Sequence, residues 1–403
     1  MNARALSAPL IGTAPGGGRD VPALTTVAAA TLFNAALCLL FTRGLSVNAN
    51  SVAACEILAS AVAFFLGRRA ITETFLVALI GLFGFCIAIC MAGGGDLMLV
   101  RDLGIPFAFF ALGSARGRVE DCDFLVYSLL AVTAVVGLFE WFDLRAFTRV
   151  FDIISYYFSK GGIDVQGLDI TGTDLFVNGI RPDERMLIPA LGDHRVSSIF
   201  LEPISIANFA AVSFGWLACG LPERPRVNLA FMLVSIALIV LSDSRFALAV
   251  CAVVALARAA QLLERWPAGA FAPLAVVALL AFAVLAPAGL VDNTVRGRMY
   301  GSGSLLLSLS SASWLGLAPL PHALTWDSGY AYVVVNVGLL GAAIAWTIFV
   351  ATPVSTTLGR RFRGFTAFYI ATSLCISGSV FSIKTAALLW FLFGAATRKR
   401  EGA

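Results

Sequence analysis

From residue 24 to residue 396 the chain passes through one apolar stretch after another, near 24–42, 45–66, 71–92, 97–113, 124–142, 198–219, 227–241, 246–263, 270–290, 330–351, 364–380 and 383–396. A helix that crosses a bilayer needs about 20 apolar residues, within a range of about 17 to 25. In hydrocarbon only a helix or a closed barrel satisfies its own backbone. The stretches therefore predict an all-α, polytopic bundle of about twelve spanning helices, several of them short, notably 227–241. Charged residues make up 13% of the chain, about half of the roughly one quarter usual in soluble domains. One transmembrane catalytic domain, 24–396, is expected between tails at 1–23 and 397–403. The first tail is small, Gly-rich and Pro-containing, without the apolar core of a cleaved signal peptide, and reads as a disordered cytoplasmic segment.

Basic residues set the orientation. Arg68 and Arg69, Arg116 and Arg118, Arg224 and Arg226, Arg258 and Arg265, Arg360, Arg361 and Arg363, and Arg398, Lys399 and Arg400 fall in every second linker. Short basic linkers stay in the cytoplasm, so both termini are expected there. Two long segments, 143–197 and 291–329, then lie outside. The first opens with Phe147, Val150, Phe151, Ile154 and Phe158 at helical spacing, which predicts an amphipathic helix at the membrane surface. Seven of the eight Cys sit in apolar runs and read as small core residues. The long outer segments hold no Cys, so no disulfide is expected there. The absence of an internal repeat weighs against a transporter.

The unusual charges fall on the outer side. Arg195 and Glu202 flank the outer end of the run 198–219, and "SDSR" (Ser242 to Arg245) forms the short turn before the run at 246. The second outer segment carries Arg296, Arg298, His322 and Asp327, and Lys384 opens the last run. Each has an ordinary reading. Arg195 and Lys384 could snorkel to the interface. Glu202 could begin a helix ahead of Pro203, and Arg245 could pair with Asp243. His322, beside Pro321, reads alone as a loop residue, and Glu56 within the second run as a buried structural group. Taken together, arginines at a membrane boundary suit a lipid-linked phosphate or diphosphate, because a guanidinium stays charged and binds phosphate through two parallel N–H groups.

Two shorter motifs carry less. Asp121-Cys122-Asp123 has the D-x-D spacing of a divalent-metal site on a nucleotide sugar, but the pattern is short and common, and it sits in an inner linker. "GSGSLLLSLSSASW" lacks the Lys of a phosphate-binding loop and reads as a loop with a short helix.

"RVSSIFLEPISIANF", "LSDSRFALAV", "DSGYAYVVVNVGLLGA" and "SIKTAALLWFLFG" resemble the integral-membrane exopolysaccharide polymerases, the Wzy-type proteins of the O-antigen ligase/polymerase superfamily, and most closely the branch serving xanthan-type and holdfast-type polymers. The likeness covers the chain from about residue 40 to its end, with the motifs concentrated after residue 190. It implies a GT-C-like fold and a multi-pass location in the bacterial inner membrane. It also implies the joining of undecaprenyl-diphosphate-linked oligosaccharides at the outer face; no cofactor or nucleic acid is expected, and the diphosphate leaving group together with the lack of an outward-facing D-x-D predicts metal independence. Membrane lipid, a flippase and a chain-length co-polymerase are the partners it implies. Arg195 and Arg245 match the family's arginines. Related ligases carry a His in an H-x-x-N-like setting where this chain reads "WDSGY". Asp327 therefore occupies roughly that place, with His322 five residues earlier, which argues for polymerase over ligase.

The implied chemistry is inverting displacement. Arg195 and Arg245 would stabilise charge on the departing diphosphate, and Arg296 and Arg298 are further candidates for that task. Glu202 and Asp327, with His322 third, would orient the acceptor hydroxyl and take its proton, and Glu202 could instead brace Arg195. Tyr330 and Lys384 complete the expected substrate-binding set. An O-antigen-type ligase and a non-enzymatic flippase or transporter remain as alternatives. A transporter should show polar groups on both sides, whereas the unusual charge here lies almost wholly outside.

Overall fold

The computed structural model describes residues 18–94, 98–161, 175, 179–180, 187–221, 224–287, 290, 294–325 and 327–398, with only the backbone of residues 322 and 323. These residues are helical almost throughout. The helices are α1 (Val21–Thr42), α2 (Ala49–Gly67), α3 (Glu73–Gly93), α4 (Met98–Arg116), α5 (Val119–Phe142), α6 (Leu144–Val150), α7 (Ile153–Ser159), α8 (Pro203–Cys219) and α9 (Pro225–Leu241). They continue with α10 (Arg245–Ala259), α11 (Phe271–Leu285), α12 (Val295–Ser308), α13 (Ser311–Trp314), α14 (His322–Thr325), α15 (Gly329–Ala351), α16 (Thr357–Ser373) and α17 (Ile383–Thr397). Local chemistry starts many of them. The side chains of Asp20, Asn48, Thr72, Ser244, Ser328 and Thr356 each accept a hydrogen bond from a free N–H of the first turn.

Among the described residues seven helices, α1 to α5, α11 and α15, are long and apolar enough to cross a membrane, and α8, α9 and α17 are shorter apolar helices. Burial separates their roles. Every residue of α8 except Ile204 is buried, and α17 is buried along nearly its whole length. By contrast, α2, α3 and α11 expose Ile57, Leu58, Val77, Ile80, Leu274 and Val277. Apolar side chains turned outward around a polar-bearing centre are the inverse of a soluble protein and suit a lipid surround. The structure thus has the helical membrane-bundle class expected from the sequence.

Each predicted run overlaps a helix, with corrections at the edges. The run at 198–219 begins as a helix only at Pro203, because Leu201 has φ 59° and breaks the spiral. The run at 364–380 is displaced: α16 starts at Thr357 and takes Arg360, Arg361 and Arg363 into its first turns. Those arginines stay at the helix end because Arg361 pairs with Glu264 and Arg363 Nη1 donates to the Val350 and Thr352 carbonyls. The amphipathic helix expected from 143 is two short helices, α6 and α7. Asp152 divides them by capping Ser155 N at 3.2 Å, and the buried face is Phe147, Ile153, Tyr156 and Tyr157. In the second outer segment the short helix expected is the fourteen-residue α12.

The basic linkers gather at one end of the bundle. Arg116 pairs with Asp20 at 3.2 Å and donates to the Leu66 carbonyl, Arg224 pairs with Asp123 at 3.3 Å, and Arg398 donates to the Ala115 carbonyl. The opposite end receives the polar groups described below.

At the centre α4 and α17 cross in backbone contact. A Cβ on Gly113 would lie 2.1 Å from the Phe391 carbonyl oxygen, and one on Gly394 would lie 2.2 Å from that of Phe110. Small residues let helices approach this closely where no hydrophobic effect drives them together. Gly113→Ala must therefore push apart a pair of buried helices. It should destabilise the protein by about 1–3 kcal/mol, read as a lower midpoint of heat-induced loss of monodisperse protein in detergent. Gly81→Ala, which meets nothing within 4 Å, should not lower that midpoint, since Ala is the better helix former; equal behaviour of the two variants would refute the crossing.

Candidate functional site

The segment that carries Arg195 and Glu202 is held by a carboxylate absent from the sequence expectations. Glu140, in the last turn of α5, is fully buried. Its oxygens accept hydrogen bonds from Ser197 N and Ser197 Oγ, both at 3.0 Å, and from Ser198 N, while His194 Nε2 lies 2.9 Å away. Val196 N donates to the Leu241 carbonyl and Ser198 Oγ to the Thr133 carbonyl. Residues 194–198 are thereby strapped across the ends of α5 and α9.

Within this strap Arg195 turns inward. It is 6% exposed, and its Nε donates to the Ser242 carbonyl at 2.9 Å, in the turn between α9 and α10. A snorkelling anchor would have its guanidinium free at the interface, so that ordinary reading is set aside. Arg245 opens α10 from the same turn. It is half-buried and has no hydrogen-bond or ion-pair partner among the described residues. The ordinary pairing of Arg245 with Asp243 is absent: Asp243 has φ 53° and accepts from Leu187 N at 3.0 Å. Two arginines far apart in sequence thus meet at one turn, one fixed and one open.

The partner of Glu202 is Lys384, not Arg195. Lys384 Nζ lies 3.1 Å from Glu202 Oε2 and also donates to the Phe200 carbonyl at 3.4 Å. Ser205 Oγ donates to Oε2 at 2.6 Å, and the Tyr157 hydroxyl donates to Oε1. Burial alone would raise the Glu202 carboxyl, but the ammonium groups of Lys384 and Lys160 and the hydroxyls of Ser205 and Tyr157 outweigh it and bring it down to about 2. The backbone aims the carboxylate at this spot through left-handed conformations at Ser198 (φ 49°) and Leu201 (φ 59°). A left-handed Leu is unfavourable alone, and here its fully buried side chain packs with Phe147, Ile153 and Tyr156.

The other expected residues lie apart from this pair. Arg298 and Asp327 form an ion pair of 3.1 Å, with Asp327 59% exposed, and Arg296 is exposed without a partner among the described residues. The Tyr330 hydroxyl donates to the Ala371 carbonyl at 3.1 Å and ties α15 to α16. The side chain of His322 lies outside the described residues. Glu56 is paired with Arg101 at 3.1 Å, and Arg101 with Asp102 at 2.8 Å, which fits its structural reading. Asp123 accepts from Trp216 Nε1 at 2.8 Å and pairs with Arg224, so this half of the D-x-D is already engaged. Among the described residues no three metal-ligating side chains converge.

Sequence reasoning missed Glu140, Tyr157 and Lys160. Glu140 had a signal, an acid within the last turn of an apolar run. Lys160 follows an amphipathic stretch and rests on the rings of its own helix, while the Glu202 and Lys384 that Tyr157 leads to come from other elements.

The Glu202–Lys384 pair makes a measurable claim. Glu202→Gln leaves a buried ammonium without its anion, and breaking such a pair costs about 3–5 kcal/mol. Replacing both residues by apolar ones of similar volume should recover most of that loss. In the native protein the stabilisation is complete above the ordinary carboxyl value of 4.5 and is lost as pH falls from there towards 2. Thermal stability of the single and double variants across pH 3 to 7 checks both statements; additive losses would show that the two residues do not interact. No protein-family model, curated protein or solved structure matches this chain.

Proposed function

We propose that this chain is a membrane glycosyltransferase that polymerises undecaprenyl-diphosphate-linked oligosaccharides at the outer face of a bacterial inner membrane, within a GT-C-like bundle of about twelve spans. One observation carries the reading: Arg195 and Arg245 converge on one turn of an otherwise apolar bundle, and Arg245 has no partner among the described residues. Arginine without a carboxylate at such a boundary suits a phosphate group. An apolar cavity of about 680 Å³ between α4, α11, α15 and α17, lined by Phe107, Val276, Val333, Trp346 and Trp390, supports a substrate with a long hydrocarbon tail.

In this scheme the diphosphate stays at the boundary against Arg245 while its tail remains in hydrocarbon. As the sugar leaves, negative charge grows on the bridging oxygen. Arg245, steadied by the turn that Arg195 holds, stabilises that charge without reorganising. Direct displacement by the acceptor hydroxyl inverts the anomeric centre. Orientation follows from the basic end of the bundle lying in the cytoplasm.

The test is polymer ladder formation by purified protein in proteoliposomes with a defined undecaprenyl-diphosphate oligosaccharide. Arg245→Ala should lower the rate roughly a hundred- to a thousand-fold, corresponding to about 2.7–4 kcal/mol for one lost donor, at a normal level of folded protein. Arg245→Lys should recover some of this. Arg195→Ala should lose folded protein as well as rate, because the Ser242 carbonyl loses its donor. Full activity of Arg245→Ala overturns the assignment, and transfer of a finished chain without a ladder would favour a ligase. A cysteine at position 296 should label from outside and one at position 226 should not; the reverse would overturn the orientation.

A further inference from the structure

Lys160, the residue that closes α7, is a cation of this polar region that is neither an arginine nor committed to an acid. Its Nζ rests over the Tyr157 ring at 3.9 Å and near the Tyr156 ring at 5.4 Å. Among the described residues it makes no ion pair or side-chain hydrogen bond. Beneath it, the Tyr157 hydroxyl donates to Glu202, and Glu202 is shared with Ser205 and Lys384. The array therefore runs from a half-buried amine, through a tyrosine ring, to an ion pair.

From this arrangement we infer that Lys160 takes the proton from the acceptor hydroxyl, and that Glu202 and Lys384 position it. The inference rests on the glycosyl-transfer reading above and replaces the base expected there. Glu202 is poorly suited to that task because its oxygens already accept from three donors and a carboxyl near 2 has little affinity for a proton. Asp327 is tied to Arg298 at the rim of another element. Lys160 has a lone pair to offer once neutral. Burial, then the repulsion of Lys384 on α17, bring its amine down to about 8, against the pull of Glu202 ahead of α8, Glu56 on α2 and Cys38 on α1. The step balances simply. The acceptor O–H bond breaks as its oxygen bonds the anomeric carbon, and the proton goes to Nζ. The bond from that carbon to the diphosphate oxygen breaks with its electron pair leaving on the diphosphate. The ammonium then returns its proton to water.

Lys160→Arg is the deciding variant, since Arg keeps the cation and the stacking on Tyr157 but cannot give up its proton. In proteoliposomes the native protein should gain rate about tenfold per pH unit up to about 8 and level off above it. Lys160→Arg should lose roughly a hundred- to ten-thousand-fold and lose that pH dependence. In parallel, labelling of Lys160 by a small amine-reactive anhydride, read by mass spectrometry against pH, should show half-reaction near pH 8 in the full-length protein. Native rates from Lys160→Arg, or half-reaction near the ordinary 10.5, overturn the role of Lys160 and leave the transfer reading standing. No polymer from the native protein overturns both.

Discussion

An ammonium and a carboxylate inside an apolar bundle each cost several kcal/mol to desolvate, and the cost falls only when they meet with good geometry and further hydrogen bonds. Lys384 and Glu202 meet at 3.1 Å, and each has a second partner, the Phe200 carbonyl for the lysine and Ser205 and Tyr157 for the carboxylate. This contact joins the outset of α8 to the outset of α17, the two helices buried along nearly their whole lengths. It also sets where residues 194–202 must run. Fastened by Glu140 at one end and Lys384 at the other, that segment brings Arg195 to Ser242 and leaves Arg245 beside it. The ion pair is therefore a fixed point from which both the arginine turn and the lysine array are measured.

Much of the helix pattern was legible in the sequence, because in hydrocarbon a helix must satisfy its own backbone and so reveals itself in local composition. The capping residues Asp20, Asn48, Thr72 and Ser244 mark helix starts for the same local reason. The failures are places where distant contacts overrode composition. The turn at Leu201 delays α8 because a buried left-handed Leu packs on α6 and α7. The start of α16 lies among arginines because Glu264, from a different linker, receives Arg361.

The site was legible in residue type and not in pairing. Arg195, Glu202, Arg245 and Lys384 stand out as charges in apolar surroundings, since such charges need a reason to be there. Their nearness in sequence is misleading: Arg195 and Glu202 are seven residues apart yet take different partners. Helical spacing reports which residues share one helix face, and neither pair lies on one helix. The pairing of Glu140 was hidden for the same reason, as its hydrogen bonds cross to residues 197 and 198.

In the proposed reaction the two polar groups at this end would divide the labour that inverting transfer requires. A departing diphosphate needs a cation that never titrates, and guanidinium would provide it at Arg245. The attacking hydroxyl needs a base with an accessible neutral form, and an amine brought down to about 8 by burial and a like charge would provide it at Lys160. Exchanging the two types would defeat both tasks, because a lysine amine against lipid could lose its charge and an arginine could not accept a proton. The separation of cations by chemical type, arginine at the α9–α10 turn and lysine around Glu202, is what the proposed reaction demands of a bundle that holds so few charges.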